Sequence, residues 1–193
     1  MSSLPDYALR FMQYLDLMLL FGLPLFAWYG PAASTISGDK RSPPPKSSLT
    51  LGLLFCGVLG LALVGIEIAR STAGIMGIAV SDLARDDLAW YLFDTAAGRA
   101  GLTRAFLLVL LLAVLGWQSQ RAERPFPIRR VTLLAGVALV SLAWNGHAAS
   151  GEGVSGTVRL VAGMAHLLAA GGWIGAIFAL LILFVRHGKP AAG

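Results

Sequence analysis

The sequence predicts an all-α fold: a polytopic transmembrane helical bundle of about five spans, with the N-terminus outside and the C-terminus inside. Three observations predict it. Of 193 residues, 56% are hydrophobic and 13% charged, and the mean hydropathy is +0.73; ordinary soluble domains carry roughly 25% charged residues. The apolar residues gather into long blocks, several near or above the ~20 residues needed to cross a hydrocarbon core of ~30 Å. The basic residues are scattered through short connections between these blocks and form no continuous basic face. The net charge of +5 is therefore read as membrane topology, and no nucleic-acid partner is expected.

The five expected spans are about 9–29, 49–69, 102–117, 131–145 and 158–185, within a single transmembrane domain, 1–193. The first carries Asp16 and is long enough to cross, so it is read as a retained helix and not as a cleaved signal peptide. The third and fourth are short for spans, which implies extension into their flanks or local thinning of the bilayer. Lys40-Arg41-Ser-Pro-Pro-Pro-Lys46 reads as an extended surface loop, because its prolines oppose a helix. The long second connection, 70–101, mixes apolar residues with Asp82, Asp86, Asp87, Asp94, Arg85 and Arg99, a pattern that suits an interfacial helix. Arg121, Arg124, Arg129 and Arg130 crowd the third connection, and the fourth is Gly/Ser-rich and holds His147 and Glu152. This basic bias, sharpest in the two short loops, sets the expected orientation.

Small residues recur at helix-packing spacing, with Gly171 and Gly175 in the fifth span and Gly52, Cys56 and Gly60 in the second. Cys56 is the single cysteine, which excludes an intramolecular disulfide or a multi-cysteine metal site. There is no phosphate-binding loop, dinucleotide fingerprint or serine nucleophile elbow, and no enzymatic activity is expected. Glu67, with Arg70 three residues on, reads as a surface ion pair.

The residues that carry chemistry lie near the end of the chain. Trp144-Asn145-Gly146-His147 closes one apolar block and His166-Leu-Leu-Ala-Ala-Gly-Gly-Trp173 sits within the next. Ionisable side chains in lipid need partners, so two imidazoles flanking one loop are candidate ligands. His166 and Trp173 are seven apart and share a helix face, while Met164 points away. Met12, Gln13 and Asp16 can line one face of the first helix, and Met76 lies near the same outer end. Imidazole suits zinc and copper, and thioether sulfur favours copper(I). His147 and His166 are thus candidate metal ligands, Met12, Asp16 and Met76 are possible additional metal or pathway residues, and Trp144 and Trp173 are possible walls. Two readings stay open beside a metal: axial ligation of a b-type haem in a haem- or quinone-linked redox protein, or a non-catalytic assembly subunit in which the imidazoles serve local hydrogen bonds.

The string Trp144-Asn-Gly-His147-Ala-Ala, a Gly-rich loop and His166-Leu-Leu-Ala-Ala-Gly-Gly-Trp173-Ile-Gly resembles the signature of the copper resistance protein D (CopD) family, in its N-terminal five-span portion. Arg10-Phe-Met-Gln-Tyr14 through Leu20-Phe-Gly22-Leu-Pro-Leu-Phe26, and Thr95-Ala-Ala-Gly98 with Arg104, resemble two further stretches of it. The resemblance implies a bacterial inner-membrane protein of copper uptake, transport or resistance, with His147 and His166 binding a copper ion on the periplasmic side. It also implies a periplasmic copper-binding partner of the CopC type. Family members commonly have about eight spans, which raises a homo-oligomer or a membrane partner that completes the bundle.

Overall fold

The computed structural model describes residues 4–36, 46–120, 125–145 and 153–187. It contains six α-helices: α1 (Leu4–Ile36), α2 (Lys46–Met76), α3 (Arg85–Asp94), α4 (Ala96–Ser119), α5 (Ile128–Val140) and α6 (Gly153–His187). Short 3₁₀ turns at Val80–Asp82 and Ser141–Asn145 precede α3 and extend α5. No strand occurs among the described residues.

Four helices, α1, α2, α4 and α6, are long and apolar enough to cross a membrane. The expected fourth span differs. Its α-helix has only 13 residues, about 20 Å at 1.5 Å per residue, and the remainder is the 3₁₀ turn. One face of the segment is buried in protein, with Val131, Ala135, Ala138, Leu139 and Leu142 all at or below 1% exposure, while Leu133 and Val137 face outward. The expected interfacial helix of the second connection is α3, and both neighbouring spans are longer than their apolar cores, α2 reaching Met76 and α4 starting at Ala96.

Helices α1, α2, α4 and α5 close a ring: α1 packs on α2 and α5, and α4 packs on the same two. Helix α6 lies outside the ring against α1 and α5, while α3 crosses one end against α2 and α4. The ring interior is filled at helical spacing by Leu17 and Leu20 of α1, Leu53 and Val64 of α2, and Leu108, Leu111 and Leu115 of α4. The outward faces are equally apolar. Phe55, Val58, Phe106, Val109, Leu180 and Phe184 are exposed, as lipid-facing residues are.

Apolar side chains gain nothing by leaving lipid for one another, so helix association needs close packing. Glycine supplies it between α1 and α6. A Cβ on Gly22 would collide with the Gly171 carbonyl and come within 2.7 Å of the Gly175 Cα, and a Cβ on Gly171 would meet Leu139 of α5 at 2.8 Å. The Gly171/Gly175 pair thus performs the packing its spacing suggests. Gly52, in contrast, faces open space. At the opposite end from α3, the Arg129 guanidinium lies 5.4 Å from the Trp28 ring centre, tying the start of α5 to α1.

Gly22→Val and Gly175→Val should each destabilise the fold by ~1–3 kcal/mol or more, the usual cost of overpacking. Gly65→Ala, where nothing lies within 4 Å, should be neutral or mildly stabilising. Unfolding titrations of the three variants in one detergent check this contrast.

Candidate functional site

The polar residues of the ring converge at the end where α1, α4 and α6 begin and α2 and α5 finish. Arg104 of α4 has no solvent-exposed surface. Its Nη1 donates to Glu67 Oε2 of α2 at 2.8 Å and its Nε to Ser141 Oγ at 2.9 Å. The Ser141 hydroxyl in turn donates to the Ala138 carbonyl at 2.6 Å. From α1, Gln13 Nε2 donates to the same Glu67 oxygen at 2.7 Å. One carboxylate oxygen therefore joins three helices, and the arginine brings in the fourth.

Local sequence explains how Arg104 reaches that position. Thr95 caps α4, accepting from the Gly98 amide at 2.9 Å while donating to the Tyr91 carbonyl at 2.7 Å. Gly98 lets α3 and α4 touch: a Cβ there would overlap the Tyr91 carbonyl and stand 2.8 Å from the Leu92 Cα. The Thr95-Ala-Ala-Gly98 string is thus a corner, and Arg104 points inward two turns beyond it. Tyr91 of α3 is 4% exposed above this network. Burial pushes its phenol above the ordinary value, and a hydrogen bond with Ser71 opposes the shift.

This network corrects one expectation. Glu67 is no simple surface partner of Arg70: it serves Arg104 and Gln13, while Arg70 pairs with Asp6 across to α1, its Nε donating at 3.1 Å and its Nη2 also in contact. Arg104, within the third expected span, is turned to the interior. The available signal was a lone acid near the end of one span and a lone base near the start of the next, at the same end of the bundle.

The candidate metal residues are placed unequally. Asp16 is 4% exposed inside the ring, its Oδ2 against Gly60 and the Cys56 thiol beside it. Met12 is 52% exposed, so it does not share the interior face of Gln13 and Asp16. Met76, at the end of α2, is also exposed. His166 lies on the exposed face of α6 with Trp173, while Met164 packs against the core. His147 lies outside the described residues, as does the rest of its loop to residue 152. No group of three or more metal-ligating His, Cys, Asp or Glu side chains occurs among the described residues.

Elements on either side of that loop fix its ends. The 3₁₀ turn, Ser141–Asn145, packs on α6, and Trp144 is partly exposed there. Leu139 lies against Gly171. Going toward the α3 end, Asn145 is six residues from Leu139 and His166 is five from Gly171. At 1.5–2.0 Å per residue, Asn145 and His166 stand within about one turn, ~5 Å, of the same level.

The fold and interior network define a multi-pass membrane bundle held by an internal ion pair. Comparison with known proteins is specific: the family described as "Copper resistance protein D-like, N-terminal domain" matches residues 1–157. The chain is 33% identical over 183 residues to copper resistance protein D of Pseudomonas syringae pv. tomato, covering 91% of this chain and 54% of that protein. It is 26% identical over 175 residues to inner membrane protein YebZ of Escherichia coli (strain K12), covering 90% of this chain and 56% of that one. No solved structure matches. The chain belongs to the copper resistance protein D-like family and is a multi-pass protein of the inner membrane. It spans about half the length of these two relatives.

Glu67→Ala should cost ~3–5 kcal/mol, because it strands a buried guanidinium, whereas Arg70→Ala, at a partly exposed pair, should cost less than ~1 kcal/mol. Equilibrium unfolding distinguishes the two. The Tyr91 phenol gives a pH signature. Folding favours its neutral form, so its stabilisation is full below pH ~10 and is lost as pH rises beyond it. Tyr91→Phe should flatten that alkaline loss in melts recorded across the range.

Proposed function

We propose that this chain binds copper at the periplasmic face of the inner membrane through His147 and His166 and takes part in copper uptake, transport or resistance. It acts as a carrier or conduit and not as an enzyme. The observation that carries the reading is the common level of Asn145, two residues before His147, and His166, in a chain of the copper resistance protein D-like family. Seven residues, 146–152, connect the 3₁₀ turn to α6, a length that lets a loop ligand return toward the helix. The copper ion is cargo. Histidine ligands hold it well enough to collect it and release it readily enough for onward movement.

In this reading the end of the bundle that carries the α3 crossing faces the periplasm, with the N-terminus outside. Exposure of His166 on α6 leaves it open to delivery by a soluble periplasmic copper-binding protein of the CopC type, or to a second subunit or membrane partner packed on α6. Trp144 and Trp173, both exposed, flank the same region. Met12 and Met76 are exposed thioethers suited to handing on a copper(I) ion.

Equilibrium dialysis of the purified chain against copper(I) and copper(II) tests the reading. Wild type should bind copper, and His147→Ala and His166→Ala should each weaken affinity by roughly 10–100-fold or more, the range seen when a metal site loses a supporting group. Unchanged stoichiometry and affinity in both variants would sink the site.

A further inference from the structure

The ion pair and the proposed copper histidines leave one interior group unused, the carboxyl of Asp16. It is 4% exposed, and neither oxygen has a hydrogen-bond partner of normal geometry. Its Oδ2 occupies the notch left by Gly60, where a Cβ would stand 2.6 Å away, and Leu108 of α4 closes the same notch at 3.4 Å.

No described cation offsets its charge. Helix α2 presents the Cys56 thiol, one turn before Gly60, and further along Glu67, itself an acid. Helix α4 presents Arg104, one turn before Leu108; its Nε and Nη1 are committed to Ser141 and Glu67, and its Nη2 makes no hydrogen bond. On α5 the nearby polar group is Ser141, already used, and Arg129 and Arg130 are exposed at the opposite end. His166 of α6 is on an outward face. On α1 itself, Gln13 is committed to Glu67, and Tyr14 is only partly buried. An ionised carboxylate so placed lacks both solvent and partner, and such groups neutralise.

We propose that Asp16 is a proton-binding site: it holds its carboxyl as the neutral acid inside the α1–α2–α4 interior. A proton fits where a metal does not. It needs no cavity in the packed notch, and no third metal-ligating side chain joins Asp16 and Cys56 among the described residues. The thiol supplies a weak donor to the carboxyl without altering its charge. Toward the α3 end, Glu67 is 16% exposed and Gln13 contacts it, and Asp16 follows Gln13 by three residues on the same face. An ionisable side chain within the membrane marks a functional site by default. The inference stands independently of the copper reading.

Infrared spectroscopy of the full chain in lipid at neutral pH, in H₂O and in D₂O, tests it. The expected result is a carbonyl stretch of a neutral carboxylic acid that shifts down in D₂O and is lost in Asp16→Asn. Cys56→Ala should move the band upward, because the thiol donor is gone. A wild type without the band, or a band that survives in Asp16→Asn, overturns the proposal. If Asp16→Asn does not fold, the deuterium-sensitive band and its displacement in Cys56→Ala decide; a band that Cys56→Ala leaves unmoved then overturns the assignment to Asp16.

Discussion

A fully buried arginine constrains the bundle. Arg104 brings a charge into a region closed to bulk solvent, and the cost of that is tolerable only with an acid in contact and hydrogen bonds of good geometry. Glu67 supplies the acid, and Ser141 accepts from Nε. Gln13 then steadies the acid from a third helix. Each contact fixes the height of one helix against another, because the side chains reach only a few ångströms. Apolar faces in lipid lack that selectivity: a leucine stripe packs almost as well one turn up or down. The ion pair therefore sets the register of the ring, and the glycine contacts between α1 and α6 set its outer layer.

The same constraint accounts for the corner between α3 and α4. For Arg104 to enter the ring, α4 must start where its first turns clear α3. Thr95 ends α3 and caps α4 in one residue, and Gly98 removes the side chain that would hold the two helices apart. Tyr91 is thereby folded down over the network as an apolar ring with a buried hydroxyl. A string of residues noticeable in the sequence as a pattern is thus the local geometry that delivers the charge.

Long apolar blocks made the spans legible, since length and hydropathy are properties of one helix. Partnership between helices was less so. The spacing of Glu67 and Arg70 suggested a pair because neighbours along a helix can be seen in sequence, whereas Arg104, 37 residues away, cannot. Phase also gave faces without saying which face was inside. Gln13, Asp16, Leu17 and Leu20 form the buried stripe of α1, and Met12, one residue before Gln13, is left outside it. The shortness of α5 was visible as a weak span, but the 3₁₀ turn that continues it was not, because apolar pattern does not separate the two kinds of helix.

Helix α1 separates two chemistries. Gly22 faces α6, and Asp16, six residues earlier, faces α2; at ~100° per residue these directions lie about 120° apart. His166 projects from the far side of α6. Asp16 and His166 consequently open onto different spaces, one inside the ring and one on its periphery, with helix backbone between them. A copper ion held by the proposed histidines is therefore not also held by Asp16 in this arrangement. In the proposed reading the outer face collects copper and the interior carboxyl holds a proton, and α6 meets the ring through the glycine packing on α1 and, beside it, through α5 and the 3₁₀ turn. The α1–α6 packing rests on glycine backbone, with no side chain standing between the two helices at Gly22 and Gly175.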